Sequence, residues 1–410
     1  MICRVETGGK KVSLLGYGAM RFQTVDGGHA NPWSKDASKA EIDQKLLNAQ
    51  IKLMLDGGVN YFDTSPAYCR GESERRLGEA LAASGYPRDS YVIATKLSNF
   101  AGHQRSLADA KAMFEKSLRE LRTDYIDNYL LHSVGGSMGD LKSRFIDNGA
   151  VDWLLEERRA GRIRNLGFSF HGKREVFDWC MENHAKYRWD FAMIQMNYVD
   201  WNNPGGRNVK ASYLYGELEK RGIPVVCMEP LLGGSLARHN HAVMRELVRF
   251  DPEATPAKWA LRFCGSYRNV MCVLSGMTRT EHMEENIATF SPFKPCSEEE
   301  LAALERAAVA YKSGGLVGCT SCNYCMPCPY GLDIPGLMKF RNDYLAKDLG
   351  LSAKEVLAAY AKALPEPLRR AEHCTGCGIC APHCPQQIDI PKEIAAIDRV
   401  IDSLKDEVVQ

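Results

Sequence analysis

The chain has 410 residues, of which 45% are hydrophobic and 25% are charged, and its formal net charge at pH 7 is +1. This balance is typical of globular proteins and argues against a disordered chain or a protein that coats nucleic acid. No apolar run approaches the roughly 18 residues needed to cross a bilayer, and the first residues contain no secretory apolar segment. We therefore expect a cytoplasmic protein without a membrane segment or a nucleic-acid partner.

Short apolar runs alternate with amphipathic stretches from residue 12 to about residue 290. The amphipathic stretches have the apolar spacing of helices, whereas the runs are short enough to be buried strands. In chain order the runs are LLGYGAM at residue 14, NYFD at 60, YVIATK at 91, YIDNYLLH at 125, NLGFS at 165, MIQMN at 193, PVVCME at 224 and VMCVLS at 270. Eight strand–helix units over residues 1–295 predict an α/β fold, a (β/α)8 TIM barrel.

Polar residues stand at the ends of nearly all these predicted strands. They are Asp63, Lys96, His132, Ser169, Gln195 or Asn197, Glu229 and Ser275. In a barrel the carboxyl ends of the strands share one face, where enzymes of this architecture place their active sites. Helix capping would explain Ser169 and Ser275 equally well, but it does not explain a lysine or a histidine. The pattern therefore predicts an active site at this face.

Eight of the 15 cysteines form two short runs near the end of the chain. In each run the first three cysteines have gaps of two residues and the fourth is followed by proline, which is typical of bacterial 4Fe-4S proteins. A zinc site more often joins two separate Cys-x-x-Cys pairs. We therefore predict two 4Fe-4S clusters with the ligands Cys319, Cys322, Cys325, Cys328, Cys374, Cys377, Cys380 and Cys384.

In two-cluster ferredoxins the fourth cysteine of each run binds the other cluster. This rule groups Cys384 with Cys319, Cys322 and Cys325, and it groups Cys328 with Cys374, Cys377 and Cys380. The last gap of the first run is one residue shorter than in the pattern. The clusters are expected to relay electrons, and stabilisation of the fold is the alternative role.

Three regions follow from these patterns. Residues 296–318 are predicted to be a helix, near 298–312, and a linker. Residues 319–410 are predicted to be a helix-rich ferredoxin-type dicluster domain, since the segment between the two cysteine runs has helical spacing. The other seven cysteines are expected to be small buried side chains, and a reactive thiol remains open only for Cys69.

The segment GVNYFDTSPAYCRGESERRLGEAL, which begins at Gly58, resembles the aldo/keto reductase family, as do DYIDNYLLH, GRIRNLGFSF, MIQMNY and VLSGMTRTEHMEENI. Together with the cysteine runs, the whole chain resembles the branch of that family with a C-terminal 4Fe-4S dicluster domain. The resemblance implies carbonyl reduction with Tyr68 as general acid. It also implies that Lys96 lowers the pKa of Tyr68, that Asp63 orients Lys96, and that His132 binds the substrate oxygen.

The resemblance further implies a nicotinamide cofactor, NADP(H) or NAD(H), with Arg279 favouring the 2′-phosphate of NADP(H). The implied contacts are Gly18, Met20, Arg21, Ser169, Gln195, Met228, Pro230, Leu231, Gly233, Ser275, Gly276, Arg279, Glu285 and Asn286. Phe170 stands where the family usually has Asn, and Met228 stands where it usually has a stacking aromatic residue. A flavin would suit the electron chemistry, although no motif indicates one.

The substrate is expected to be a small carbonyl compound or alcohol, and a redox partner protein is possible. Candidate pocket residues on the loops are Trp33, His171, Tyr198 and Trp201. One alternative is an electron-transfer or partner-docking protein whose barrel has lost hydride chemistry, which the departures at Phe170 and Met228 favour. Another is a lyase or isomerase that uses Tyr68 as acid and His132 as base.

Overall fold

The computed structural model describes residues 1, 3–7, 10–30, 41–204, 209–238, 240–313, 316–346 and 349–409. Its strands are β1 (Cys3–Thr7), β2 (Lys10–Ser13), β3 (Leu15–Gly18), β4 (Tyr61–Asp63), β5 (Val92–Leu97), β6 (Ile126–Val134), β7 (Ile163–Phe170), β8 (Phe191–Gln195), β9 (Val225–Met228) and β10 (Val270–Ser275). Strands β3 to β10 are parallel and close into a barrel in the order β10, β3, β4, β5, β6, β7, β8, β9. The predicted TIM barrel is therefore confirmed, with all eight strands at the predicted runs.

The barrel strands are buried because one face packs inside the barrel and the other packs against the helices. The interior is filled by Val12, Tyr61, Val92, Ala94, Leu130, Phe191, Met193, Val226, Met271, Cys272 and Leu274. Val12 comes from the antiparallel hairpin β1–β2, which the sequence analysis did not predict. The Ser13 N–H donates to Asn60 Oδ1, just before β4, so this hairpin lies at the amino-terminal end of the barrel, opposite the predicted site.

The barrel helices are α1 (Gln44–Asp56), α2 (Ser73–Ala83), α3 (Leu107–Glu120), α4 (Met138–Leu141), α5 (Ala150–Arg159), α6 (Arg174–Glu182), α7 (His184–Tyr187), α8 (Ala211–Lys220), α9 (His241–Leu247), α10 (Pro256–Ser266) and α11 (Thr280–Phe290). Capping residues mark several starts: Ser106 and Asp109 form a capping box on α3, and Thr255 caps α10.

Helix α12 (Glu298–Ser313) lies where the sequence predicts a helix before the first cysteine run. It packs on the barrel, since Ala303, Leu304 and Ala307 join the core around the barrel strands. Arg262 on α10 also pairs with Glu300 at 2.8 Å, with both side chains buried. The helix assigned to the linker is thus a layer of the barrel.

The C-terminal part has its own apolar core, formed around α13 (Ile334–Phe340), α14 (Ala353–Ala363) and α15 (Ile390–Val409). Short 3-10 or π turns in this part occupy Arg341–Leu345, Pro367–Arg369, Ala371–His373 and Ala381–His383, and a further π turn, Lys142–Ile146, lies between α4 and α5 of the barrel. Strands are absent from the described residues after 316, which confirms the predicted helix-rich domain. Within the described ranges, none of the helices combines the length and apolarity needed to cross a membrane.

Candidate active site and cluster ligands

Lys96 and Asp63 form a buried ion pair at the carboxyl end of neighbouring strands. Asp63 ends β4 and Lys96 lies on β5, and the Lys96 Nζ donates to Asp63 Oδ1 at 2.6 Å and to the Thr64 carbonyl at 2.7 Å. Burial lowers the pKa of Lys96 and raises the pKa of Asp63, while the attraction between the two charges opposes both shifts. The ion pair fixes the Lys96 side chain at the mouth of the barrel.

Tyr68 begins a 3-10 turn, Tyr68–Gly71, directly after β4. Its ring centroid lies 4.6 Å from the Lys96 Nζ and 5.8 Å from the ring centroid of His132. Burial raises the pKa of Tyr68 well above its ordinary value, and the charge on Asp63 raises it further. The expected lowering of this pKa by Lys96 is therefore not observed, because burial disfavours the phenolate and Lys96 is already paired. The phenol stays protonated at neutral pH.

A chain of hydroxyl groups holds the ring of His132. Ser98 Oγ lies 2.6 Å from His132 Nδ1 and 2.8 Å from Ser65 Oγ, which in turn accepts the Ala67 N–H. Donation from Ser65 to Ser98 and from Ser98 to Nδ1 gives each hydroxyl proton an acceptor, and this direction favours the tautomer with the ring proton on Nε2. Burial, followed by the charge on Lys96, lowers the pKa of His132 well below its ordinary value, so the ring is neutral.

One cavity of about 290 Å³ lies at this end of the barrel. Tyr68, Lys96, His132 and Asp63 all line it, so the four predicted catalytic residues come together. The predicted cofactor contacts in its wall are Gly18, Met20, Arg21, Ser169, Met228, Pro230, Leu231, Gly233, Ser275 and Gly276. A single cavity therefore joins the predicted catalytic group to most of the predicted cofactor positions.

Four predicted cofactor contacts lie elsewhere. Gln195 exchanges hydrogen bonds with Gln386 of the C-terminal domain, at 2.9 and 3.3 Å. Asn286 is buried against Ser275, Glu285 accepts from the Thr255 hydroxyl, and Arg279 is exposed at the start of α11. The positions of these four side chains depend on tertiary contacts, which a short sequence motif does not reveal.

The loop residues behave differently from one another. His171 lines the cavity, and burial lowers its pKa to about 4. Tyr198 is buried and Trp201 packs on Tyr267 at 4.3 Å, both in the core and away from the cavity wall. Trp33 lies outside the described residues.

The scattered cysteines are mostly core residues, as predicted, although Cys3 is exposed and Cys296 is half-buried. Cys69 is 1% exposed, and its Sγ lies 3.3 Å from the Met20 carbonyl. Burial raises the pKa of its thiol to about 12, so it stays protonated and unreactive near neutral pH.

Glu229 lines the cavity, and its only signal in the sequence is its place as a polar residue at the end of a predicted strand. It follows β9 with a left-handed φ of 56°, and burial raises the pKa of its carboxyl group to about 7. Glu229 Oε2 and Asp63 Oδ2 are buried without a hydrogen-bond partner among the described residues. Buried acceptors are almost always satisfied, so these two atoms suit a bound molecule that brings N–H or O–H donors.

The C-terminal domain closes part of the cavity. Cys322, Tyr324 and Pro385 line it together with the barrel residues. Arg21 donates to the carbonyls of Thr320 and Ser321, at 2.9 and 3.2 Å. The cysteine-rich segment is therefore fastened to the barrel mouth.

Four cysteines surround a second, small cavity in the C-terminal domain: Cys319, Cys322, Cys325 and Cys384. This set is the one that the crossing rule groups for the first cluster. Burial raises the pKa of Cys325, and charges on Cys322, Cys319, Cys384 and Cys380 raise it further, as expected where thiols are crowded together. Thiolates bind metal more readily than thiols do, so ligation would relieve this repulsion. The donor set fits a 4Fe-4S cluster.

The second set, Cys328, Cys374, Cys377 and Cys380, lies nearer to solvent. Burial raises the pKa of Cys380, and charges on Cys328, Cys374 and Cys377 add to the shift. Cys377 is exposed. Groups of three or more His, Cys, Asp or Glu placed to hold a single metal ion are absent from the described residues.

Comparisons with known proteins agree with this arrangement. L-galactose dehydrogenase of Arabidopsis thaliana is 26% identical over 314 residues, which cover 72% of this chain and 91% of that protein. Methylglyoxal reductase YeaE of Escherichia coli is 26% identical over 294 residues, covering 68% and 88%.

Solved structures show the same fold. The holo form of aldo-keto reductase AKR11C1 from Bacillus halodurans has a TM-score of 0.59 at 22% identity, over 76% of this chain and 97% of that chain. An aldo-keto reductase from Klebsiella pneumoniae in complex with NADPH has a TM-score of 0.57 at 22% identity, over 75% and 95%. The family model for the aldo/keto reductase family matches residues 14–309, and that for a 4Fe-4S dicluster domain matches residues 318–389. The chain belongs to the aldo/keto reductase family and carries a 4Fe-4S dicluster domain after its barrel.

Proposed function

We propose that the barrel reduces the carbonyl group of a small molecule, or oxidises the alcohol, with a nicotinamide cofactor and with Tyr68 as general acid. The observation that carries this proposal is the meeting of Tyr68, Lys96, Asp63 and His132 in one buried cavity. Two relatives of the chain are named as an L-galactose dehydrogenase and a methylglyoxal reductase, and both names describe this class of chemistry.

Two features of the cavity suit a nicotinamide nucleotide: the predicted cofactor contacts that line it, and the buried acceptor atoms that lack a hydrogen-bond donor. A carboxamide and ribose hydroxyls bring the N–H and O–H donors that Asp63 Oδ2 and Glu229 Oε2 lack. Arg279, exposed beside the cavity residue Thr278, suits the 2′-phosphate, so NADP(H) is the proposed form. The NADPH complex of the Klebsiella protein agrees with this choice. When bound, the reduced nicotinamide supplies the hydride for the carbonyl carbon.

The chain's own residues handle the proton and the developing charge. The Tyr68 phenol gives its proton to the carbonyl oxygen, and the Lys96 ammonium, 4.6 Å from the ring centroid, stabilises the phenolate that remains. Asp63 holds Lys96 in place at 2.6 Å. The Nε2–H of neutral His132 is free to donate to the same oxygen, and solvent returns a proton to Tyr68 afterwards.

The eight cysteines hold two 4Fe-4S clusters in this proposal. When bound, the clusters supply or accept single electrons, whereas a hydride carries two. Cys322 connects the two chemistries spatially, because it belongs to the first cysteine set and also lines the active-site cavity. Cys377 and the neighbouring Ile379, which is 52% exposed, mark the surface at which a redox partner protein would approach the second set.

Replacing Tyr68 by Phe tests the proposal. The ring and its packing remain while the proton donor is lost, so kcat for NADPH-dependent aldehyde reduction should fall by roughly 10²- to 10⁴-fold. Tyr330→Phe is the matched control, because Tyr330 is 48% exposed in the C-terminal domain and lies outside the cavity. Iron content should be the same in both variants. Unchanged turnover in Tyr68→Phe would contradict the assignment.

A further inference from the structure

One wall of the active-site cavity belongs to the cluster domain. Its residues are Cys322, Tyr324 and Pro385, which face the same space as Tyr68 and Lys96. We propose that Tyr324 binds substrate there, with its hydroxyl contacting a second polar group on the carbonyl compound that Tyr68 protonates. This inference rests on the proposed function and specifies its substrate class.

The ring of Tyr324 continues an aromatic row that begins at the catalytic histidine. Its centroid lies 6.3 Å from that of Phe100, whose centroid lies 5.0 Å from that of His132. Tyr324 and Tyr68 also line the same cavity, so the Tyr324 side chain lies near the reacting end of that space.

Barrel contacts hold the segment that carries Tyr324. Arg21 donates to the carbonyls of Thr320 and Ser321, and Thr320 is 2% exposed. Gly233 has a φ of 63°, and a Cβ at that position would lie 2.2 Å from the Cβ of Thr320. Only glycine permits this approach of the two backbones, so the Tyr324 side chain is presented by a fixed segment.

The other walls restrict the substrate class. Beside its polar groups, the cavity is lined by the apolar side chains Met193 and Leu274, which are not among the predicted cofactor contacts. An apolar body that carries two polar groups suits this mixed lining. The preferred substrate is therefore a carbonyl compound with a second hydroxyl or carbonyl group separated from the first by an apolar part.

The test compares two aldehydes and two variants in the cluster-replete protein. 4-Hydroxybenzaldehyde has a second polar group, and benzaldehyde is the same molecule without it. Tyr324→Phe should raise KM for 4-hydroxybenzaldehyde about five- to tenfold, while KM for benzaldehyde and kcat for both stay within about twofold. Tyr330→Phe should leave all four constants unchanged. Equal KM values in Tyr324→Phe and wild type, with turnover intact, would overturn the inference and leave the proposed function standing.

A spectroscopic reading is independent of turnover. Cys322 and Tyr324 lie two residues apart, so a molecule that contacts Tyr324 should displace a ligand of the first cluster slightly. We expect 4-hydroxybenzaldehyde together with NADP⁺ to shift the electron paramagnetic resonance spectrum of the reduced wild-type protein, and the shift to disappear in Tyr324→Phe at equal iron content. An identical shift in both proteins would contradict the role of Tyr324. Failure of wild type to bind either ligand or to turn over would instead overturn the proposed function, and this inference with it.

Discussion

Two serine hydroxyls contact Nδ1 of His132 and favour the ring proton on Nε2. Ser98 contacts Nδ1 at 2.6 Å, whereas Ser65 lies 3.3 Å from the same atom and acts mainly through Ser98. A neutral ring whose Nδ1 accepts a hydrogen bond carries its proton on Nε2 and can donate from that atom. The orientation of the His132 ring thus depends on two serines that do not line the cavity.

Removing the Ser98 hydroxyl should therefore disturb catalysis more than removing that of Ser65. Ser98→Ala leaves Nδ1 with only the longer Ser65 contact, so kcat/KM for aldehyde reduction should fall about tenfold, which corresponds to roughly 1.4 kcal/mol. Ser65→Ala keeps the shorter contact between Ser98 and Nδ1, so kcat/KM should fall less than threefold. Steady-state kinetics across pH 6 to 9 would measure both, and equal losses in the two variants would contradict the proposed tautomer.

For single residues, sequence motifs point to the candidate catalytic side chains but not to the residues that hold those side chains in place. Asp63, Tyr68, Lys96 and His132 stand at strand ends in a recognisable order, so all four are visible in the sequence. Ser98 lacks such a signal, because a serine after a strand is common. The pKa of Tyr68 was predicted with the wrong sign, since burial depends on the packed structure and not on the nearest charge alone.

Helix α2 carries a carboxylic acid into the layer between helices and strands. Glu74 is 2% exposed, and its Oε1 accepts the Thr95 hydroxyl of β5 at 2.5 Å. Burial raises the pKa of Glu74 to about 7 from an ordinary value of 4.5. The folded protein therefore holds a proton at this position that the unfolded chain releases.

This proton makes the stability of the barrel depend on pH. The contribution of protonated Glu74 to the free energy of unfolding is fully present below about pH 4.5 and is lost as the pH rises through about 7. Between these pH values Glu74 is ionised in the unfolded chain but not in the folded protein. Glu74→Gln cannot ionise, so its stability relative to wild type should improve by about 2 to 3 kcal/mol from pH 5 to pH 8. Urea unfolding at both pH values measures this, with the exposed Glu284→Gln as control. The same pH dependence in Glu74→Gln and wild type would contradict this assignment.

Elements were predictable where periodicity is strong. The eight barrel strands and α12 lie where the apolar runs and the helical spacing indicate. The hairpin β1–β2 was not predicted, because its strands are short and polar, and Val12 alone among its described side chains belongs to the cluster inside the barrel. Its burial is decided by contact with β10 and β4, which lie far away in the sequence.

At the scale of the molecule, the position of Cys384 agrees with the proposed exchange of the last cysteines between the two runs. Cys384 from the second run lines the cavity of Cys319, Cys322 and Cys325. Sequence spacing indicated this crossing only by analogy, since the first run is one residue short of the pattern. The docking of this domain on the barrel had no sequence signal, because Arg21 and Thr320 are 299 positions apart.

The crossing predicts which variants should resemble each other. Cys384→Ala should lose the same cluster as Cys322→Ala, so both should keep about four of about eight irons and give the same residual paramagnetic spectrum. Cys377→Ala should lose the other cluster and give a different spectrum. Cys296→Ala is the matched control outside both sets. A Cys384→Ala spectrum that matches that of Cys377→Ala would show that the runs do not cross.

In the proposed function, one cavity serves nicotinamide chemistry beside a cluster ligand. The most direct test is anaerobic titration of the cluster-replete protein with NADPH, with binding followed by calorimetry and the clusters followed by absorbance and electron paramagnetic resonance. We predict one binding site for NADPH and a change in the cluster signal when that site fills. Full iron content with neither NADPH nor NADH binding, and with cluster signals indifferent to both, would contradict the account and favour an electron-transfer protein with an inactive barrel.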